Sequence, residues 1–289
     1  MGKKEKSKKE KKPVEPQYYM SATHIPAYNY KVYHMKAMEK CLYFAIAFVV
    51  GAAVGYLFYG GIGKDEFGNP TQLTWILNIT ISGSIGIAAG LLFIPIRTQQ
   101  IINKQIRVLK NQFRDMLDAL TTNLGTGKNV SDSFYSVYED MKIQYEEGSY
   151  ILKELEIIIS GMANNIKIED LLYDFGVRSG AEDISSFANV FKICYRKGGN
   201  IKDTIRNTHA ILSEKMEISE DIETVLTANK TEQNIMLVMP IALIAIIKLM
   251  SPDFASNFTT IAGILATTVA IVLFVVSYFV GKAVLDIKV

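Results

Sequence analysis

Four stretches of the chain are apolar from end to end, and between the second and third the apolar positions recur at helical spacing. "CLYFAIAFVVGAAVGYLFYGG" (Cys41 to Gly61) carries no charge for about 20 residues, which at about 1.5 Å each matches a hydrocarbon core roughly 30 Å thick. "LTWILNITISGSIGIAAGLLFIPI" (Leu73 to Ile96) follows a short Gly, Pro and Asn turn. "IMLVMPIALIAIIKLM" (Ile235 to Met250) and "IAGILATTVAIVLFVVSYFVG" (Ile261 to Gly281) form a second pair around the hairpin "SPDFASNFTT". The pattern predicts two membrane spans, a large middle region and two more spans. Gly51 with Gly55, and Gly86 with Gly90, are small residues four apart that let helix backbones approach, so the first two spans are expected to pack together. Pro240 removes a backbone donor and predicts a kink in the third span. Lys248, one turn from the outer end of that span, is placed to snorkel to the interface as an anchor.

The middle region reads as helices throughout. Ile102, Ile106, Leu109, Phe113, Met116, Leu120 and Leu124 advance in steps of three and four, so one face of a long helix is apolar. Shorter stripes follow: Phe134, Val137, Tyr138 and Met141; Leu152, Leu155, Ile159 and Met162; Leu171, Leu172 and Phe175; Ile184, Phe187, Phe191 and Cys194. A sixth helix from near Asp203 carries Ile205, Leu212, Ile218, Ile222 and Val225 and runs towards the third span. The expected fold class is an all-α membrane protein with four transmembrane helices, two before and two after a cytoplasmic six-helix antiparallel bundle. The expected divisions are a basic, largely disordered tail over 1–39, spans one and two over 40–96, the helical domain over 97–234, spans three and four over 235–281, and a short tail over 282–289.

Two octets nearly repeat: "GKNVSDSF" from Gly127 and "GGNIKDTI" from Gly198. Each falls between apolar stripes, where a helix can end on a left-handed glycine and the next can begin. Gly127, Gly198 and Gly199 are therefore read as turn determinants, with Asn129 and Asn200 tolerating the same backbone region. Ser131 or Asp132, and Asp203 in the second copy, are expected to cap the following helix. "ANNIKIEDLL" (Ala163 to Leu172) is a looser third version without the glycine.

Composition agrees with a membrane chain: of 289 residues, 49% are hydrophobic and 21% charged. Charge fixes the expected orientation. Ten of the 31 Lys and Arg lie in residues 1–40 and seventeen in 97–234, against one (Lys64) in the first hairpin and none in the second. Basic segments stay on the cytoplasmic side, so both termini and the middle region are expected there. The opening "KKEKSKKEKK" cannot build a core and is read as a solvated tail and orientation signal able to meet anionic lipid. It shows no base-reading pattern, so no nucleic-acid partner is expected. Cys41 and Cys194 read as free thiols, and His24, His34 and His209 have no metal or catalytic spacing. "GTGK" (Gly125 to Lys128) is not a phosphate loop, because Thr122 fills the first glycine's place, Asn129 follows the lysine and a helix precedes it. No enzyme chemistry and no cofactor are expected.

"QFRDMLDALTTNLGTGKNVSDSF", "GMANNIKIEDLLYDFGVRSG" and "FANVFKICYRKGGNIKDTIRNTHAILSEKMEISEDIETVLTANKTEQNIMLVMPIAL" resemble the type II secretion system F domain, in the form carried by TadB- and TadC-like proteins of Flp pilus systems. The likeness covers roughly residues 97–250. It implies an inner-membrane platform that couples a hexameric cytoplasmic ATPase to pilin extraction and filament assembly, beside a homologous platform subunit. On that reading the turn tips are the candidate ATPase contacts: Lys128, Asn129 and Asp132, and Arg196, Lys197, Asn200 and Lys202. The alternative is a four-span sensor or adaptor relaying a signal through the bundle. A transporter ranks third, because Pro240 and Lys248 alone do not make a translocation path.

Overall fold

The computed structural model describes residues 15–21, 25–63 and 69–285. Most of these are helical, and four helices are long and apolar enough to cross a membrane. The elements are β1 (Tyr18–Met20), β2 (Pro26–Tyr28), α1 (Ala37–Tyr59), α2 (Gln72–Gly125), α3 (Val130–Gln144), α4 (Tyr150–Ala163), α5 (Ile168–Ser179), α6 (Glu182–Lys197), α7 (Ile201–Met250), α8 (Pro252–Asn257) and α9 (Ile261–Leu285). The chain divides into two compact units, one of residues up to His34 with Gln100–Ser213, the other of Met35–Gln99 with residues from Glu214 onwards.

In the first unit, the expected stripes become the core. Leu109, Phe113, Met116 and Leu120 of α2 are buried with Phe134 and Val137 of α3, Leu155 of α4, Phe175 of α5 and Phe187 and Phe191 of α6. The Phe113 ring lies edge-on to Phe175 at 6.0 Å and to Phe187 at 5.4 Å. Such pairs add about 0.5–1.5 kcal/mol each beyond area burial.

The expected tail over 1–39 needs correction where it is described. Residues 18–20 and 26–28 pair as a two-stranded antiparallel hairpin, so the fold is not wholly helical. Tyr30, beyond the hairpin, is fully buried in the first unit. Aromatic side chains every second residue (Tyr28, Tyr30) give this segment a packing face that the lysine-rich opening lacks; residues 1–14, which include that opening, lie outside the described residues, as do His24 and Lys64.

In the second unit, the paired glycines do what their spacing suggested. A Cβ on Gly51 would fall 2.7 Å from the Ala89 Cβ, and one on Gly90 would fall 2.5 Å from the Phe44 ring, so α1 and α2 touch where these side chains are missing. The second span and the first stripe of the middle region are one helix, α2, containing Pro95, and the sixth stripe runs, as expected, into the third span as one helix, α7, containing Pro240. The compact helical unit ends at Ser213 rather than near 234, because the side chains of α7 beyond Met216 pack on little and are mostly exposed. The hairpin after Met250 contains the short helix α8, opened by Ser251, whose hydroxyl accepts from the Phe254 amide, and α9 continues past Gly281 to Leu285.

Candidate functional site

The echoed octets form the same turn twice. Gly127 lies at φ +89° and Gly198 at φ +71°, the left-handed region that a Cβ makes costly. After Gly198 the Gly199 amide donates to the Cys194 carbonyl at 2.9 Å, closing the last turn of α6. The cap, however, is the asparagine. Asn129 is extended (φ −69°, ψ 167°), its Oδ1 accepts from the Asp132 amide at 2.8 Å, and its Nδ2 donates to Asp132 Oδ2 at 2.7 Å. Asn200 repeats this: its Oδ1 accepts from the Asp203 amide at 3.2 Å and its Nδ2 donates to Asp203 Oδ2. Asn129 and Asn200 therefore cap α3 and α7, and Asp132 and Asp203 hold the capping amide in place rather than capping themselves. In the third version Asn165 takes the glycine's part at φ +59°, with the Ile166 amide donating to the Gly161 carbonyl at 2.9 Å.

Contacts within the first unit bring these turns to one end. His209 Nε2 of α7 lies 3.9 Å from Asp118 Oδ1 of α2, each about two turns from its glycine turn. Arg196, at the end of α6, reaches Glu169 and Asp170 at the start of α5, both at 3.4 Å. Three polar turns thus share a rim. Its side chains differ in what they are free to do. Lys128 Nζ donates to Asn123 Oδ1 at 2.9 Å and Ser136 Oγ at 2.8 Å, so it ties the turn to its two helices. Arg196 is held by its acidic pair, whereas Lys197 and Lys202 are exposed with no ion pair among the described residues.

A buried ion pair, absent from the sequence expectations, ties the hairpin segment to α4 and α5. Arg178 of α5 makes a two-pronged contact with Glu154 of α4, Nη1 to Oε1 at 2.8 Å and Nη2 to Oε2 at 2.7 Å, with both side chains almost wholly buried. The Tyr30 hydroxyl donates to Glu154 Oε1 at 2.9 Å, Arg178 Nη1 donates to the Tyr28 carbonyl at 3.0 Å, and the Tyr30 amide donates to the Arg178 carbonyl at 3.0 Å. Burial opposes the charge of Arg178, but the Glu154 carboxylate beside it outweighs burial and raises the guanidinium's affinity for its proton. Burial first, then the same carboxylate, push the Tyr30 phenol far above its ordinary value. A sequence signal existed: Glu154 sits three residues after Ile151 and four before Ile158, and Arg178 three after Phe175, so an acid and a base each occupy an apolar stripe.

In the second unit, Pro240 lies inside α7 and Lys248 near its end. Lys248 Nζ donates to the Leu57 carbonyl at 2.6 Å and lies 4.4 Å from the Phe258 ring centre. Leu57 belongs to the last turn of α1, whose carbonyls have no partner within the helix, so the ammonium caps α1 where its dipole is negative. Among the described residues no three His, Cys, Asp or Glu side chains gather as a metal site, and both cysteines are free thiols. Compared with protein-family models, with curated proteins and with solved structures, the chain finds no significant match.

Proposed function

We propose that the chain is a platform protein of a type II secretion or Flp-type pilus machine in the cell membrane, with both termini and the first unit in the cytoplasm. In this role it catalyses nothing itself. A hexameric ATPase pushes on the rim of polar turns, the movement passes along α2 and α7, which continue from the helical unit into the membrane unit, and pilin subunits are drawn from the bilayer beside a homologous platform subunit. The reading rests on one observation: a rim of turns built from one glycine and asparagine device, on a helical unit inserted between two pairs of spans. Rigid capped helix ends can transmit force, which loose loops cannot.

The experiment is crosslinking from positions beside Gly127 and Gly198 in intact membranes, with identification of the attached protein. An ATPase captured there, together with co-purification of pilins, supports the proposal. Labelling of the same positions from outside the cell sinks it. Charge reversal is best placed at Lys197 and Lys202, because reversal at Arg196 also breaks its pairs with Glu169 and Asp170. Loss of ATPase association without loss of folded protein is the expected result.

A further inference from the structure

Within the membrane unit, α7 carries a second kind of surface before it becomes uniformly apolar. Ile218, Ile222 and Val225 follow at steps of four and three, and Ile218 and Val225 are 48% and 66% exposed. A helix sets residues so spaced in one row. Glu214, Glu217 and Asp221, at steps of three and four, form an exposed row alongside. From Glu214 to Asn234 the helix holds six acidic residues against Lys215 and Lys230, a local excess of negative charge in a chain whose net charge is +2. The apolar row leads to a groove of about 340 Å³ between α7 and α9, with Glu232, Gln233 and Met236 on one wall and Phe274, Tyr278 and Gly281 on the other. The groove is floored where a Cβ on Gly281 would lie 2.1 Å from Gln233 Nε2.

We propose that this row and groove dock a helix of another membrane protein, a spanning segment that leaves the bilayer on the Glu214 side as a helix whose apolar row is bordered by Lys or Arg. An exposed apolar row at helical spacing takes a helix lying along it, and flanking charges choose which helix. The acidic row selects against a second copy of this chain, which would bring like charges face to face, and for a basic flank. The groove adds a requirement that a soluble basic helix does not meet, since its Phe and Met walls lie where α7 enters its apolar stretch. The proposal does not depend on the filament reading.

The test uses full-length protein in phosphatidylcholine vesicles, with a photo-reactive residue at Val225 or at Met236. Three synthetic peptides serve as probes: a Leu/Ala spanning helix with a four-lysine helical extension, its four-glutamate twin, and the lysine extension alone. The lysine-extended span is expected to be labelled at both positions at least about fivefold more than its twin, with the preference falling at high salt. Glu214→Lys with Glu217→Lys and Asp221→Lys should bring the two spans to parity, and Gly281→Leu should lower labelling at Met236. Equal labelling of the twins in the wild-type chain, a crosslinked dimer of this chain as the main product, or equal labelling by the extension alone would each overturn the proposal.

Discussion

Arg178→Met tests the buried network most severely. It leaves the Glu154 carboxylate, 1% exposed, with the Tyr30 hydroxyl as the one partner among the described contacts, and it frees the Tyr28 carbonyl. Removing one member of a buried ion pair costs about 3–5 kcal/mol, because the remaining charge stays out of water uncompensated. For a unit of this size about 1 kcal/mol moves a melting midpoint by roughly 3 °C, so a fall of roughly 9–15 °C is expected for the detergent-solubilised chain. The comparison is the triple variant Tyr30→Phe, Glu154→Leu, Arg178→Met, which removes both charges and the hydroxyl that would otherwise be orphaned. Apolar groups of similar volume are tolerated to within about 1.5 kcal/mol, so the triple variant should melt well above Arg178→Met. A fall of less than about 3 °C for Arg178→Met, or a triple variant that falls by the sum of its three singles, would refute a buried pair held by mutual compensation.

Three further outcomes follow. Asn129→Ala and Asn200→Ala should each cost about 1 kcal/mol, read as faster proteolysis at their turns, with Asp in place of Asn recovering part of the loss, since its carboxylate still accepts from the backbone amide but cannot donate to Asp132 or Asp203. Tyr30 and Tyr145 both have phenols raised above the ordinary 10.0, each by burial first and then by a carboxylate, Glu154 and Asp115 respectively. Their neutral forms are favoured in the folded chain, so the stability they contribute is complete below about pH 10 and declines above it by about 1.4 kcal/mol per pH unit for each; Tyr30→Phe should remove one proton's share of that slope in alkaline melting curves. Lys248→Met should lower stability by about 1.5 kcal/mol through loss of the charged hydrogen bond to Leu57, read as a lower melting midpoint, with Arg restoring part of it, and an unchanged midpoint would refute the capping role.

The four apolar runs and the first five stripes were legible because length and period carry their own meaning: a run long enough to cross lipid has few alternatives, and steps of three and four place Leu109, Phe113 and Phe187 on buried faces; the sixth stripe is buried only at Ile205 and Leu212, since Ile218 and Val225 lie beyond the first unit and are exposed. The echoed turns were legible as turns but not in detail, since a glycine announces its backbone region whereas Asn and Asp compete for the capping place. Asn129 prevails because its amide accepts from one backbone donor and is steadied by Asp132 in return. The hairpin before α1 was lost in the average of a lysine-rich terminus. Glu154 and Arg178 were hidden for a different reason: a charged residue on an apolar stripe looks like noise until its partner, distant in sequence, is known.

The segment ending at Tyr30 and the helices α3 to α6 belong to one folded body, yet both α1 and the apolar first part of α2 lie between them in the chain. A thread that leaves a body and returns to it through a membrane must cross an even number of times. Tyr30 and Glu154 thus act as a parity check on insertion: a molecule in which only one of the two helices had entered the bilayer would hold these residues on opposite faces, and their hydrogen bond could never close.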